Sequence, residues 1–181
     1  MPEAAKTVYV PAARVQANRT MGLGVALLTL LADQAMKWVV TDLLQLGRRS
    51  DDGMELLPFF RLRWIENPGV SMSFITAGSE TERWLLVGLT AAIAIFVSIW
   101  LWREKRRDDV MALGLVLGGA LGNILDRVRL GYVVDFADLH FGAVHPFLVF
   151  NVGDAAITVG VLLLLLRALL TRDRKTPREE K

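Results

Sequence analysis

From Trp84 to Trp102 the chain runs nineteen residues without a charge, WLLVGLTAAIAIFVSIWLW. A helix rises ~1.5 Å per residue, so this run nearly matches a ~30 Å hydrocarbon core. Tryptophans at both ends suit the interfacial belts of a bilayer. The chain is therefore read first as a membrane protein. A hydrophobic content of 53% and a mean hydropathy of +0.39 agree.

Three further apolar runs are interrupted. Met21 to Leu44 is broken by Asp33 and Lys37. Val110 onward stays uncharged until Asp126 and Arg127, and Phe150 to Leu170 contains Asn151, Asp154 and Arg167. Read as spans, the four cover about 21–44, 84–102, 110–127 and 151–170. A cleaved signal peptide is the bland reading of the first, but the apolar pattern resumes beyond its polar pair, so it is read as a span.

Lysine and arginine set the direction. Thirteen lie on one side: Lys6, Arg14 and Arg19, then Arg103, Lys105, Arg106 and Arg107, then Arg167, Arg172, Arg174, Lys175, Arg178 and Lys181. The other side carries Arg48, Arg49, Arg61, Arg63 and Arg83 in one long segment. Both termini are thus expected in the cytoplasm, with tails over 1–20 and 171–181 and the membrane domain over 21–170. The outer segment, about 45–83, holds the alternating piece Phe60-Arg61-Leu62-Arg63-Trp64-Ile65. It predicts one or two short strands, with a turn at Asn67-Pro68-Gly69. The fold class is an all-α membrane protein of four transmembrane helices with a small extracytoplasmic β-sheet lying on the outer membrane surface.

This topology brings Asp33, Lys37, Asn67, Asn123, Asp126, Arg127, Asp135, Asn151 and Asp154 toward the outer leaflet. Each has a bland reading. Asp33 and Lys37 can be an intrahelical ion pair, and Arg127 can snorkel to phosphate. Asn151 and Asp154 can be helix caps. Asp138 and Arg129 read as solvated surface charges. Gly114, Gly118 and Gly122 share a face suited to close helix packing. Taken together, the cluster is harder to dismiss, because a charge in hydrocarbon costs at least ~2.5–3.5 kcal/mol.

There is no cysteine, and the only histidines are His140 and His145, in a predicted loop. No metal and no cofactor is expected. Asp135 and Asp154 remain as a potential carboxylate dyad, which shares a proton and can act as base and acid on an amide. The alternative is a proton-coupled membrane transporter using intramembrane carboxylates.

The stretches DQAMK (33–37), NPGVSMSF (67–74), GGALGNILDRVRLGYVVDF (118–136) and FNVGDAAI (150–157) resemble, in order, the signature blocks of the lipoprotein signal peptidase (signal peptidase II) family. The resemblance implies an aspartic endopeptidase of the bacterial inner membrane that cuts prolipoproteins before a diacylglyceryl-modified cysteine. It places the catalytic dyad on Asp135 and Asp154. It places substrate-binding or supporting groups on Asp33, Lys37, Asn67, Gly119, Asn123, Arg127 and Asn151, and a structural role on Asp126. The implied partners are the prolipoprotein and membrane lipid, with no nucleic acid, and a monomer is expected. Gly153 stands where the family usually has alanine, so Gly153→Ala is expected to keep most activity. Ser71 and Met72 depart from the second block.

Overall fold

The computed structural model describes residues 11–48, 53–69, 80–142 and 144–172. Ser71 and Met72 lie outside these residues. Helix α1 (Ala12–Trp38) is followed by a π-helical turn (Val39–Leu43) and a short 3-10 turn (Leu46–Arg48). Strands β1 (Met54–Leu57) and β2 (Phe60–Asn67) precede helices α2 (Glu80–Arg103) and α3 (Arg107–Leu130). Strand β3 (Val133–Leu139) and helix α4 (Val152–Arg172) complete the described chain. Four helices are long and apolar enough to cross a membrane. Helices α2 and α3 reach beyond the expected spans at both ends, α1 at its N-terminal end and α4 at its C-terminal end, since charged and polar residues continue the helix outside the apolar run.

Helix α3 is the hub, and α1, α2 and α4 each pack against it. Small residues allow this. A Cβ added at Gly114 would strike the Gly22 carbonyl, and one at Gly118 would strike that of Ala26. At Gly122 it would meet the Asp33 carboxylate. These three glycines therefore form the α1 contact that their spacing predicts. Gly119, one residue round the helix, faces α4 and abuts the Gly153 carbonyl. Arg83 of α2 closes the C-terminal end of α3, donating from Nε to the Arg127 carbonyl (2.7 Å) and from Nη2 to that of Val128 (2.6 Å). Gly131 then terminates α3 in a left-handed conformation, φ +92°, with its N–H on the Arg127 carbonyl.

The predicted strands form between α1 and α2, but the sheet has a third. β3 pairs antiparallel with β2, in the order β1-β2-β3. Asp135 thus lies on a strand that the sequence pattern did not predict. Val133 to Asp138 are buried throughout, so this strand lacks the alternation by which a half-exposed strand is recognised. Val40 and Leu46, beyond α1, pack with Leu62, Val134, Phe136 and Ala137 and seat the sheet on the bundle.

Candidate active site

The chain brings Asp135 and Asp154 together through backbone pairing. Phe150 bridges to Ala137, donating to its carbonyl (3.1 Å) and accepting from the Phe136 and Ala137 N–H groups (3.1 and 2.7 Å). The next residue, Asn151, is thereby delivered to β3 just as α4 begins. Its side-chain Nδ2 donates to Asp135 Oδ1 at 2.6 Å. Its Oδ1 accepts the Asp154 N–H at 2.9 Å, and its own N–H donates to Asp154 Oδ2 at 3.3 Å. This is a reciprocal capping box with aspartate at the third helical position. The cap and site readings of Asn151 and Asp154 thus describe one arrangement, in which Asn151 bridges both carboxylates.

The remaining oxygens have partners too. Asn67 Nδ2 donates to Asp135 Oδ2 (2.9 Å), and its Oδ1 accepts the Gly69 N–H (3.0 Å), forming the expected turn. Asn123 Nδ2 donates to Asp154 Oδ1 (2.8 Å), while its Oδ1 accepts from Asn151 (3.2 Å) and Lys37 (3.2 Å). Asp135 is almost fully buried. Burial pushes its carboxyl up to about 6, against the opposing hydrogen bonds from Asn67 and Asn151, with the nearby Asp154 charge adding to the rise.

Behind the pair lies a buried ionic cluster. Lys37 Nζ lies 2.7 Å from both Asp33 Oδ2 and Asp126 Oδ2. Asp33 Oδ1 accepts the Gly153 N–H (2.8 Å), and Asp126 Oδ2 accepts the Val134 N–H (3.2 Å). The expected i, i+4 pair therefore exists, but it also ties α1 to the residue before Asp154 and α3 to the residue before Asp135. Gln34, absent from the residues expected here, donates to Asp126 Oδ1 (2.9 Å) and Asp33 Oδ2 (3.2 Å). An uncharged polar side chain beside Asp33 in a span was its only signal. Arg127 is half-buried within electrostatic reach of Asp154, Asp135 and Asp126. Its Nε is buried without a hydrogen-bond partner.

One expectation needs correction, and a second meets a tight contact. Asp138 is not solvated. It is 1% exposed, with Oδ1 on His145 Nδ1 (2.9 Å) and Oδ2 3.5 Å from Arg63 Nη1. Gly153 is more tightly placed than its exchange for alanine assumed. An added Cβ would stand 3.0 Å from Asn151 Oδ1, 3.0 Å from the Gly119 carbonyl oxygen and 3.3 Å from Asp33 Oδ1. Gly153→Ala should press on the cap and on Asp33, lowering the cleavage rate several-fold with little loss of folded protein. An unchanged rate would show that α4 yields at no cost. Arg129 is exposed, as expected.

The profile of the family described as signal peptidase (SPase) II matches residues 25–170. A lipoprotein signal peptidase of Rhizorhabdus wittichii is 59% identical over 162 residues, covering 90% of this chain and 93% of that protein. One of Sphingopyxis alaskensis is 52% identical over 153 residues, covering 84% and 87%. A solved bacterial membrane enzyme superposes with a TM-score of 0.69 at 27% identity, covering 83% of this chain and 93% of that one. The transporter reading is not favoured. With the matching fold and the matched length together, the chain belongs to the signal peptidase II family.

Proposed function

We propose that this chain, a multi-pass protein of the bacterial inner membrane, removes the signal peptide of prolipoproteins by aspartic catalysis at Asp135 and Asp154, cutting before a diacylglyceryl-modified cysteine. The observation that carries the reading is the Asn151 bridge between two carboxylates at one end of the bundle. One carboxylate takes a proton from the attacking water, and the other protonates the scissile carbonyl oxygen. When the tetrahedral intermediate collapses, a proton passes to the departing amine of the cysteine. The raised affinity of Asp135 for a proton suits a pair that must hold one proton between two groups. Asn67, Asn123 and Asn151 fix the carboxylates, while Asp33 and Lys37 position the backbone around them. Gly119 lets α4 approach α3, and the Arg127 guanidinium, within electrostatic reach of both carboxylates, supports the pair or binds substrate. The enzyme works as a monomer, without metal, cofactor or nucleic acid, with membrane lipid around it.

Purified protein and a diacylated prolipoprotein, followed by mass spectrometry of the products, test this directly. Two products divided at the cysteine are expected, and at an undiminished rate after exhaustive chelation. Uncut substrate, or a loss restored by zinc, would refute the reading.

The basic residues support cytoplasmic termini, with tails over 1–20 and 171–181 flanking the membrane domain 21–170, and a site near the outer leaflet. Reporters after Lys181 and between Arg103 and Asp109 should read cytoplasmic, and one near Asp52 extracytoplasmic. A cytoplasmic signal near Asp52 would overturn that orientation.

A further inference from the structure

Away from the carboxylates, the sheet ends in an apolar tip made from two turns distant in sequence. Leu57 ends β1 and Phe59 lies in the β1–β2 turn; Phe141, Val144, Phe147 and Leu148 come from the segment between β3 and α4. Phe141, Val144 and Phe147 are each 63% exposed, and Leu148 is 91% exposed. Such a concentration of exposed large apolar side chains marks an interaction surface.

The two turns are fastened to each other. The Phe59 and Phe141 rings stack with centroids 6.4 Å apart, and the His140 N–H donates to the Phe59 carbonyl at 3.0 Å. Phe141 and Val144 exchange backbone hydrogen bonds of 2.8 and 3.1 Å. Underneath, the buried Asp138 holds His145 from the loop and faces Arg63 from β2. The His140 ring packs 5.8 Å from that of His145. The apolar side chains are therefore held outward by a polar clasp instead of folding onto the sheet.

Continuity with the membrane belt indicates what covers them. Leu148 lies just ahead of Val152, the first residue of α4, whose Leu162, Leu165 and Leu169 are exposed along the span. Residues 141–150, FGAVHPFLVF, carry no Asp, Glu, Lys or Arg. Aromatic and aliphatic side chains without charge suit the boundary between headgroups and acyl chains. We propose that the coupled turns form a keel that enters the outer leaflet of the membrane crossed by α4 and fixes the height of β3, with Asp135, above the hydrocarbon. This goes beyond the proposed catalysis and rests on the outward placement of the sheet.

The natural chain has no cysteine, so one introduced thiol labels uniquely. Nitroxides at Phe147→Cys and Leu148→Cys are compared in proteoliposomes of phosphatidylethanolamine and phosphatidylglycerol. Leu162→Cys serves as the lipid reference and Glu66→Cys as the water reference. The keel labels should collide with oxygen as the Leu162 label does and be shielded from an aqueous nickel chelate. Nickel access like that at Glu66 would overturn the proposal, as would shielding from both reagents, which would indicate a protein cover. The variant carrying Phe147→Asp and Leu148→Asp should cleave bilayer-embedded prolipoprotein at least tenfold more slowly. It should keep its rate on a short diacylated peptide in micelles. An unchanged ratio between the two media overturns the role in setting height, and leaves the catalytic reading untouched.

Discussion

Asp135→Asn and Asp154→Asn should each reduce cleavage of a diacylated prolipoprotein to near background while the protein still inserts and folds. Asparagine keeps the volume and can still accept from the amides that surround each position. It cannot take a proton from water or return one. The double variant should be scarcely worse than either single one, because groups that act as a unit do not add. The solvated control is Glu55→Gln, since Glu55 is exposed on β1. Asp138 cannot serve, being buried against His145. The wild-type kcat/KM should be bell-shaped in pH. With the Asp135 carboxyl raised to about 6, the native state holds a proton that the unfolded chain has released between about 4 and 6. Activity that needs this shared proton therefore falls as pH rises through about 6, and falls again in acid when both groups are protonated. The group's contribution to stability declines over the same rise from about 4 to 6. Near wild-type cleavage by either folded single variant would remove the dyad assignment.

Lys37→Met should destabilise the folded protein by about 3–5 kcal/mol, as expected when one partner of a buried ion pair is deleted. The substitution leaves Asp33 and Asp126 buried without the ammonium that lies between them. Those carboxylates hold the Gly153 and Val134 N–H groups, so the loss should also reach the residues that flank the dyad. Adding Asp126→Asn to Lys37→Met should recover part of the stability, because it removes one unpaired charge. Unfolding titrations in mixed micelles measure both effects. Equal stability of wild type and Lys37→Met would mean that the cluster is not a structural pin.

The helices were legible because hydropathy needs only local sequence. The glycine face on α3 was legible for the same reason, as its spacing alone puts Gly114, Gly118 and Gly122 on one side. Strand β3 was not legible. Its residues are buried on both faces, and its ladder partner β2 lies far back in the chain. Asp138 looked like a solvated charge because its partners, Arg63 and His145, become neighbours only when the sheet forms. Gln34 carried no periodic signal, since its partner Asp126 sits on another helix. Resemblance pointed to the polar residues that the structure gathers, but not to one asparagine joining both aspartates. Nor did it show that Gly119 and Gly153 would face each other across a helix contact.

The Asn151 bridge has a consequence for biogenesis. The same side chain starts α4 and links its first turn to β3, so the last helix cannot dock correctly without completing the pair of carboxylates. During synthesis the first three spans and the sheet emerge without Asp154. On the proposed assignment, hydrolytic competence therefore arrives only with the final insertion step, when α4 brings Asp154 to Asp135.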